Sequence, residues 1–523
     1  MNFYFDAAKA LDRLEAKKGS IKGVIGTLPE KDRKRTTALV IETLKYKVVI
    51  LDVIRSSELL KHERQKLTSP NLVLLLVHDL LFSKGIQAGD GPIKQAVLRH
   101  KTRLHAELTK LRIKRGVKSL EELAQTGDVR ADQIPRYIRI NTLLWKAEQA
   151  GAYFTSKGYE EGGDPLLSQN FFRQDEHISD LLVFHPSVSF NESSLLASGK
   201  IILQDKASCF PAVVLAPPAH ADVHVIDATA APGNKTTLLS ALMKGRGKLY
   251  AFERDKKRFG TLKKMLDKAR CSNVEPMNAD FLAVDPTDPK FALVSHILLD
   301  PSCSGSGIVN RLDHLLDIDE ENVEYEKEEE DRLQRLSAFQ LTIIKHAMKF
   351  PAIQKIVYST CSIHAIENEQ VVSQALASPE AQAGGFILAS KDDVLPAWER
   401  RGIPEKMSTA NPERDAASLV RCSPGDDHTN GFFVSCFVRD GRPTIGGSRL
   451  SDNNRLTNGN LEVPVPLPDK ITLVPSKKRS AQTFVDTGGA ESETHGVKEE
   501  EEGNISGVKT GHKHKNKKKR LRK

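Results

Sequence analysis

The sequence predicts an α/β fold in which a doubly wound parallel sheet is preceded by a helical region and a small α/β module. From about residue 223, apolar runs alternate with helical segments. Apolar residues recur at helical spacing through the first 125 residues, and short strand-like runs lie between these two parts. The 523 residues are enough for several domains and a large core.

The first region, residues 1–125, is predicted to be helical and to contribute to RNA binding or assembly. Its most apolar stretch, Asn71 to Phe82, is too short to span a bilayer and contains His78 and Asp79, so we expect a buried helix and no membrane partner. A basic stretch covers residues 94–115 and predicts either a surface for nucleic acid or a solvated helix face. Its members are Lys94, Arg99, His100, Lys101, Arg103, Lys110, Arg112, Lys114 and Arg115.

The second region, residues 126–215, is expected to form a small mixed α/β module. From Pro135 to Ser208 the pattern consists of short strands and turns, and it ends in the strand-like run GKIILQDKAS.

The third region, residues 216–440, carries the doubly wound sheet. Four buried strands are predicted in VHVIDATAA, GKLYAFERD, ALVSHILLDPSC and IQKIVYSTCS, with helical segments between them. The segment GFFVSCFVRD closes the domain. Ligands of such sheets bind outside the carboxyl ends of the strands. The loops that contain Cys303 and Cys361 follow two of these strands, so both thiols are expected beside one cleft.

The last region, residues 441–523, has too few apolar residues to bury a core and is predicted to be a disordered tail. Its basic end, Lys513 to Lys523, suits nuclear or nucleolar targeting or phosphate contact, although a solubilising tail has the same composition. The net charge of +9 favours a polyanionic partner. Six cysteines without zinc-ligand spacing, and no signal peptide, predict a reducing compartment, no disulfide framework and no metal.

The segment DATAAPGNKT, Asp227 to Thr236, joins a predicted strand to a helix but has neither the Walker A nor the GxGxxG spacing. Glu253 ends the next strand, 26 positions after Asp227, where a carboxylate can bind a ribose diol. Asp280, in the third strand region, can accept a hydrogen bond from an adenine amino group. Together these features favour S-adenosylmethionine over NAD or ATP.

A thiol at the cleft suggests covalent catalysis, because C5 of a pyrimidine is a poor nucleophile until a thiolate has added to C6. Buried structural cysteines are common, which is the alternative for either residue. With a methyl donor, Cys303 and Cys361 indicate C5 methylation of cytosine or uracil.

These residues resemble the Fmu/Sun family of RNA (cytosine-5)-methyltransferases. The matching segments appear in family order from about residue 135 to 437: RINTL, ILQDKASC, DATAAPGNKT, FERD, NADF, DPSCSGSG, YSTCSIHAIENEQVV and GFFVSCF. The GNKT and SGSG variants and the N-terminal DAAKALDRLEAKKGSIKG are similar to the eukaryotic branch that acts on 25S/28S ribosomal RNA. The resemblance implies a Rossmann-like class I methyltransferase sheet, large-subunit rRNA or the pre-ribosome as partner, and a nuclear, nucleolar location.

The resemblance also implies roles for individual residues. Cys361 is the nucleophile and Cys303 assists product release, while Asp300 and Lys235 contact the target base. The residues expected to bind S-adenosylmethionine are Thr229, Ala230, Ala231, Pro232, Gly233, Asn234, Lys235, Glu253, Arg258, Asp280 and Asp300.

Other classes fit less well. DNA cytosine-5 methyltransferases use the cysteine of a Pro-Cys motif, whereas here Ser302 precedes Cys303 and a second thiol is present, so no DNA partner is expected. Amino-group methyltransferases need no thiol. A tRNA cytosine-C5 methyltransferase and a non-catalytic RNA-binding factor of ribosome assembly stay open as alternatives. The sequence does not identify the target cytosine or the oligomeric state, for which a monomer is the expectation.

Overall fold

The structure is a computed structural model that describes residues 1–16, 21–28, 30–125, 127–309, 315–316 and 323–440. The predicted disordered tail and its basic end lie outside the described residues.

The N-terminal region is helical, as predicted. Its helices are α1 (Asn2–Glu15), α2 (Ile21–Ile25), α3 (Arg33–Lys45), α4 (Lys47–Ser56), α5 (Leu59–His62), α6 (Pro70–Phe82), α7 (Pro92–Arg99) and α8 (Lys101–Arg115). Helix α6 is the buried helix expected from its apolar run. Its N-terminus is capped by Ser69, whose Oγ accepts from the amide of Leu72, and Pro70 occupies the first turn.

The polar residues inside α6 are buried with partners. The hydroxyl of Tyr4 on α1 donates to Asp79, and Nδ1 of His78 lies 3.2 Å from Oδ1 of Asp79. These bonds satisfy polar groups that would otherwise destabilise an apolar interior. The core of the helical region also receives Leu315, which follows the loop of Cys303 in the chain. Within the described ranges, no helix is both long and apolar enough to cross a membrane.

The second region forms a five-stranded sheet. Its elements are β1 (Arg136–Ile140), α9 (Ala147–Ser156), β2 (Glu160–Glu161), β3 (Phe171–Gln174), β4 (Leu181–Phe184), α10 (Ser194–Ala197) and β5 (Ile201–Leu203), in the strand order β2-β3-β4-β1-β5. The sequence pattern did not predict α9. Phe154 on this helix packs against Phe172 and Phe184 of the sheet, so tertiary packing of an aromatic face accounts for a helix in a turn-like stretch.

The helix that ends the second region, α11 (Lys206–Leu215), packs on the larger sheet. The elements of the third region are β6 (His224–Asp227), α12 (Asn234–Leu242), β7 (Lys248–Phe252), α13 (Lys256–Ala269), β8 (Val274–Met277), β9 (Val294–Leu299), α14 (Val323–Ala347), β10 (Lys355–Thr360), α15 (Glu369–Leu376), α16 (Pro379–Gly384), β11 (Phe386–Leu388), α17 (Pro412–Ala417), β12 (Val420–Cys422) and β13 (Phe432–Arg439).

The sheet order is β11-β13-β10-β9-β6-β7-β8, with β12 paired to β13. Strands β6 to β10 pair in parallel with one another, whereas β13 is antiparallel to β10, β11 and β12. The four predicted buried strands are β6, β7, β9 and β10. The order reverses between β6 and β9, which is the switch point where ligands of doubly wound sheets bind.

Alternation along each strand builds a core on both faces of the sheet. Val225, Leu298 and Val357 enter one core with α11 and α12. Their chain neighbours Ile226, Ile297 and Ile356 enter the opposite core with α14 and α15. Because both faces are buried, these strands are continuously apolar and end abruptly in polar loops at one edge.

Candidate active site

The two predicted thiols meet at the carboxyl ends of β9 and β10. Cys361 directly follows β10 and Cys303 lies four residues after β9, which pairs with β10 in parallel. Their Sγ atoms are 3.0 Å apart, and both residues are half-buried. Adjacent parallel strands that end at one edge therefore bring together thiols that are 58 positions apart in sequence.

Close backbone contacts hold the two thiol loops against each other. The amide of Gly307 donates to the carbonyl of Cys361 at 2.9 Å, and the amide of Gly431 donates to the carbonyl of Gly307 at 2.8 Å. A Cβ at Gly307 would lie 2.3 Å from the carbonyl oxygen of Gly431, so this position has no room for a side chain.

The surroundings of Cys303 keep its proton on sulfur. The hydrogen bond with Cys361 raises the pKa of the Cys303 thiol well above its ordinary value, and burial and the charges of Glu367 and Asp300 raise it further. Either sulfur can donate in this contact, and the raised pKa of Cys303 favours the form in which Cys303 is protonated.

Lys235 and Asp300 form an ion pair beside the thiols. Nζ of Lys235 lies 2.8 Å from Oδ2 of Asp300 and donates to Oγ of Ser208 at 3.1 Å, while Oγ of Ser359 donates to Oδ1 of Asp300 at 2.7 Å. Burial disfavours the lysine charge, but the attraction of Asp300 and the hydrogen bond to it outweigh burial, and with the attraction of Cys361 the pKa of Lys235 is raised. The Lys235 cation is therefore held by Asp300 and Ser208 and interacts electrostatically with Cys361.

The segment Thr229–Lys235 connects β6 to α12. Gly233 has φ 113°, in the left-handed region, and Thr229 Oγ1 accepts from the amide of Asp300 at 3.1 Å. Beneath the segment, Thr236 Oγ1 donates to Oδ2 of Asp227 at 2.7 Å. Burial raises the pKa of Asp227 to about 6. The segment is thus tied to the strand ends on both sides.

Glu253 follows β7 and is 4% exposed. Its Oε1 accepts from the amide of Asp255 at 2.8 Å, and its Oε2 lies 3.3 Å from Nη1 of Arg258, whose Nη2 donates to the carbonyl of Ala231. Since a carboxylate offers about four acceptor positions, the two oxygens retain acceptor capacity for a diol. Arg258 therefore links Glu253, the carboxylate predicted to bind the ribose, to the segment Thr229–Lys235.

Asp280 lies after β8, with a side chain that is 42% exposed. Its Oδ1 accepts from the amide of Leu282, and its Oδ2 is 3.7 Å from Arg254. The structure thus gathers Cys303, Cys361, Lys235 and Asp300 into one cluster. Glu253 and Asp280 follow the next two strands along the same edge.

Three family models match the chain in succession. They describe the N-terminal domain of NOL1/NOP2/Sun domain family member 5 at residues 34–124, the ferredoxin-like domain of the same protein at 134–204, and 16S rRNA methyltransferase RsmB/F at 212–438.

Curated relatives match over most of their length. The chain is 46% identical over 440 residues to 25S rRNA (cytosine-C(5))-methyltransferase rcm1 of Schizosaccharomyces pombe, covering 83% of this chain and 91% of that protein. It is 40% identical over 448 residues to 28S rRNA (cytosine-C(5))-methyltransferase of Mus musculus, with 84% and 91% covered. The chain belongs to the NSUN5 family of methyltransferases. The large-subunit branch suggested by the GNKT and SGSG variants is confirmed.

A solved structure, that of PH0851, shares the fold. It superposes with a TM-score of 0.53 at 20% identity and covers 83% of this chain and 97% of its own. The overall fold of this NSUN5-family chain is therefore shared with a distant neighbour.

Several residues of this NSUN5-family site were not singled out from the sequence. Ser208 and Ser359 orient Lys235 and Asp300, and Glu367 contacts the loop of Cys303. All three lie inside segments that carry the family resemblance. Ser208 belongs to ILQDKASC, and Ser359 and Glu367 belong to YSTCSIHAIENEQVV, within seven residues of Cys361. Proximity to motif residues was the available signal, but it does not tell which way a side chain points.

The basic stretch of the helical region is partly neutralised within its own domain. Arg99 binds Glu63 with two bonds, Arg103 lies 3.6 Å from Glu58, and Arg115 lies 3.3 Å from Asp52. Lys101, Arg112 and Lys114 have no ion pair among the described residues. Only part of the predicted basic surface is therefore available to an external polyanion.

Proposed function

We propose that this protein methylates C5 of one cytosine in large-subunit ribosomal RNA, with S-adenosylmethionine as the methyl donor and a covalent bond between Cys361 and C6 of the base. The observation that supports this most directly is the pair of thiols 3.0 Å apart beside the Lys235–Asp300 ion pair. A structural cysteine needs neither the cation nor a second thiol. The relatives named above act on 25S and 28S rRNA, which supports the substrate.

The residues present fit S-adenosylmethionine. The carboxylate of Glu253 retains acceptor capacity for a ribose diol, the Gly233 turn allows close backbone approach, and Asp280 projects a part-exposed carboxylate at the next strand end. The segment Thr229–Lys235 and Arg258 would complete the binding site. When bound, the cofactor supplies an electrophilic methyl group.

The first chemical step belongs to Cys361. The target cytosine has to leave its stack, since C6 is inaccessible inside a helix. The thiolate of Cys361 adds to C6, the S–C6 bond forms, and the C5–C6 π electrons move to C5, which becomes nucleophilic. The Lys235 ammonium stabilises the thiolate, and Asp300, held by Lys235 and Ser359, accepts a hydrogen bond from the exocyclic amine and so selects cytosine over uracil.

The last step restores Cys361. Once C5 carries the methyl group and loses its proton to a base, the C5–H electrons re-form the C5–C6 double bond and the S–C6 bond breaks. The departing thiolate accepts a hydrogen bond from the Cys303 thiol, which keeps its proton. We assign the release role of Cys303 to this donation.

Methylation of large-subunit rRNA places the protein in ribosome biogenesis, on the pre-ribosome in the nucleolus. This location follows from where ribosomal RNA is made and modified. Immunofluorescence of the full chain beside a nucleolar marker tests it.

Bisulfite sequencing of ribosomal RNA from cells that lack the protein tests the substrate. We expect one large-subunit cytosine to lose its methylation and to regain it with the wild-type chain but not with Cys361→Ala. Cys271→Ala, which removes a half-buried thiol outside the cluster, is the matched control and should restore methylation. Loss of methylation in tRNA alone would instead establish the tRNA alternative. Full rescue by Cys361→Ala would support a role that needs no nucleophile.

A further inference from the structure

Hydrogen bonds to Ser302 and Ser304, the chain neighbours of Cys303, fix the position of Cys303. The carbonyl of Ser302 accepts a hydrogen bond from Nε2 of Gln340 at 3.1 Å, and Ser304 donates to Glu367 with its backbone amide at 2.9 Å and its hydroxyl at 2.6 Å. The same Gln340 amide donates to Oε1 of Glu367 at 2.9 Å. Glu367 is therefore the acceptor on which the tethers of the Cys303 loop converge.

Burial of the Glu367 carboxylate in the protein interior is energetically unfavourable. The residue is 0% exposed and has no ion-pair partner among the described residues. All three side-chain bonds that it makes are donations from other groups, as suits an ionised carboxylate, which only accepts. An unpaired buried carboxylate destabilises the fold unless hydrogen bonds compensate, so its presence beside two reactive thiols indicates a functional role.

Glu367 also connects the two thiol loops. It lies six residues after Cys361, in the turn that precedes α15. Its partner Ser304 shares a hydroxyl network with Ser306 and Ser362, the residue after Cys361, at 3.1 and 3.2 Å. The position of one sulfur against the other therefore depends on this carboxylate.

We propose that Glu367 is a positioning residue that fixes the Cys303 thiol against the Cys361 sulfur and places a negative charge on the Cys303 side of the pair, so that Cys361 is the nucleophile. The inference rests on the proposed function. Among the described residues, the charged and titratable groups that face Cys303 are Cys361, Glu367 and Asp300, with the buried Tyr358 behind them and Lys235 on the Asp300 side. The negative groups favour the neutral thiol at Cys303, while Lys235 pairs with Asp300 and interacts electrostatically with Cys361.

The experiment compares the full-length wild type with Glu367→Gln. Initial rates of iodoacetamide labelling at Cys303 are measured against pH by peptide mass spectrometry, without RNA or cofactor. Loss of the negative charge should lower the midpoint of Cys303 labelling by about one pH unit, equal to about tenfold faster labelling at a fixed pH below it. With rRNA and cofactor, Glu367→Gln should accumulate a covalent protein–RNA adduct, since a Cys303 thiol that has lost its tether is no longer held against the departing Cys361 sulfur.

Two further variants make the result decisive. Glu369→Gln removes a buried carboxylate that pairs with Arg421 at 2.6 Å, and it should lower stability without moving the Cys303 midpoint. Ser304→Ala removes one tether and should move the midpoint in the same direction by less, and it decides the question if Glu367→Gln does not fold. An unchanged midpoint in a folded Glu367→Gln, with unchanged release, overturns the proposal. A shifted midpoint without rRNA methylation by the wild type would leave the thiol assignment standing and overturn the proposed function.

Discussion

The Sγ atoms of Cys303 and Cys361 lie 3.0 Å apart at the ends of two adjacent parallel strands. Two reduced thiols at this distance should be linked by mild peroxide. The thiols lose two electrons and two protons to form an S–S bond, and the peroxide is reduced to two waters. We expect methyl transfer to stop on oxidation and to return after treatment with dithiothreitol, and mass spectrometry should identify a Cys303–Cys361 peptide pair.

The matched control is Cys271→Ala, which should be oxidised as readily as the wild type. Labelling that detects two reduced thiols after complete oxidative inactivation would show that another group is the sensitive one.

Cys303→Ala should trap the covalent RNA adduct. Without the thiol that donates to the departing Cys361 sulfur, elimination slows while attack at C6 remains. We expect an RNA-linked band that survives denaturing electrophoresis and is absent in the double variant Cys303→Ala/Cys361→Ala. Turnover at the wild-type rate without an adduct would remove the release role.

Glu253→Gln should weaken binding of S-adenosylmethionine by about tenfold or more, because a hydrogen bond to a charged acceptor contributes about 1.5–3 kcal/mol. The substitution also removes the ion pair with Arg258, which touches the Ala231 carbonyl. Isothermal titration calorimetry measures the change. Glu275→Gln on β8, whose partners are Lys248 and Lys290, is the control and should bind as the wild type does. Equal affinities for both variants would remove Glu253 from the cofactor site.

The strands and the shared edge were predictable because burial on both faces makes each parallel strand a continuous apolar run that ends in polar residues. The sequence alone therefore predicts Cys303, Cys361, Asp300 and Glu253 at one edge of the sheet. Glu367 was not predictable in the same way. Its role depends on its side chain pointing back under the Cys303 loop, and the sequence pattern of a short turn does not encode that direction.

Helix α9 shows a second limit of sequence patterns. Its helical state depends on Phe154 packing against Phe172 and Phe184, two residues that arrive from later strands. Local spacing in Ala147–Ser156 gave a turn-like reading because the decisive contacts are distant in sequence.

Gly307→Ala should displace the thiol loops. A Cβ there would meet the carbonyl oxygen of Gly431 at 2.3 Å, and backbone on both sides must move. We expect lower activity and a loss of stability of about 1–3 kcal/mol, the range found for overpacking. Thermal unfolding and single-turnover methylation measure the two effects.

Gly260→Ala is the opposite case. This glycine lies inside α13, and a Cβ added to it would meet no other part of the protein within 4 Å. Alanine should therefore stabilise the helix by about 0.5–1 kcal/mol and leave activity unchanged. A loss of activity in both variants would show that the effect of Gly307→Ala is not specific to the thiol loops.

Asp227 should make stability fall as the pH rises through the acidic range. Burial raises its pKa from 3.8 to about 6, so between these values the folded state holds a proton that the unfolded state has lost. The free energy of unfolding therefore decreases by on the order of 2–3 kcal/mol from about pH 4 to about pH 6. Asp227→Asn does not titrate, and the unfolding free energy of the variant minus that of the wild type should rise across this window.

A second variant removes a hydrogen bond that lowers the pKa of Asp227. The hydrogen bond from Thr236 Oγ1 at 2.7 Å lowers the pKa of Asp227, so Thr236→Val should raise this pKa and extend the fall in stability to higher pH. Chemical denaturation at a series of pH values measures both variants against the wild type. A pH-independent difference for Asp227→Asn would mean that the carboxylate is equally ionised in the folded and unfolded states. The protonated form of Asp227, beneath the segment Thr229–Lys235, would then not contribute to folding stability.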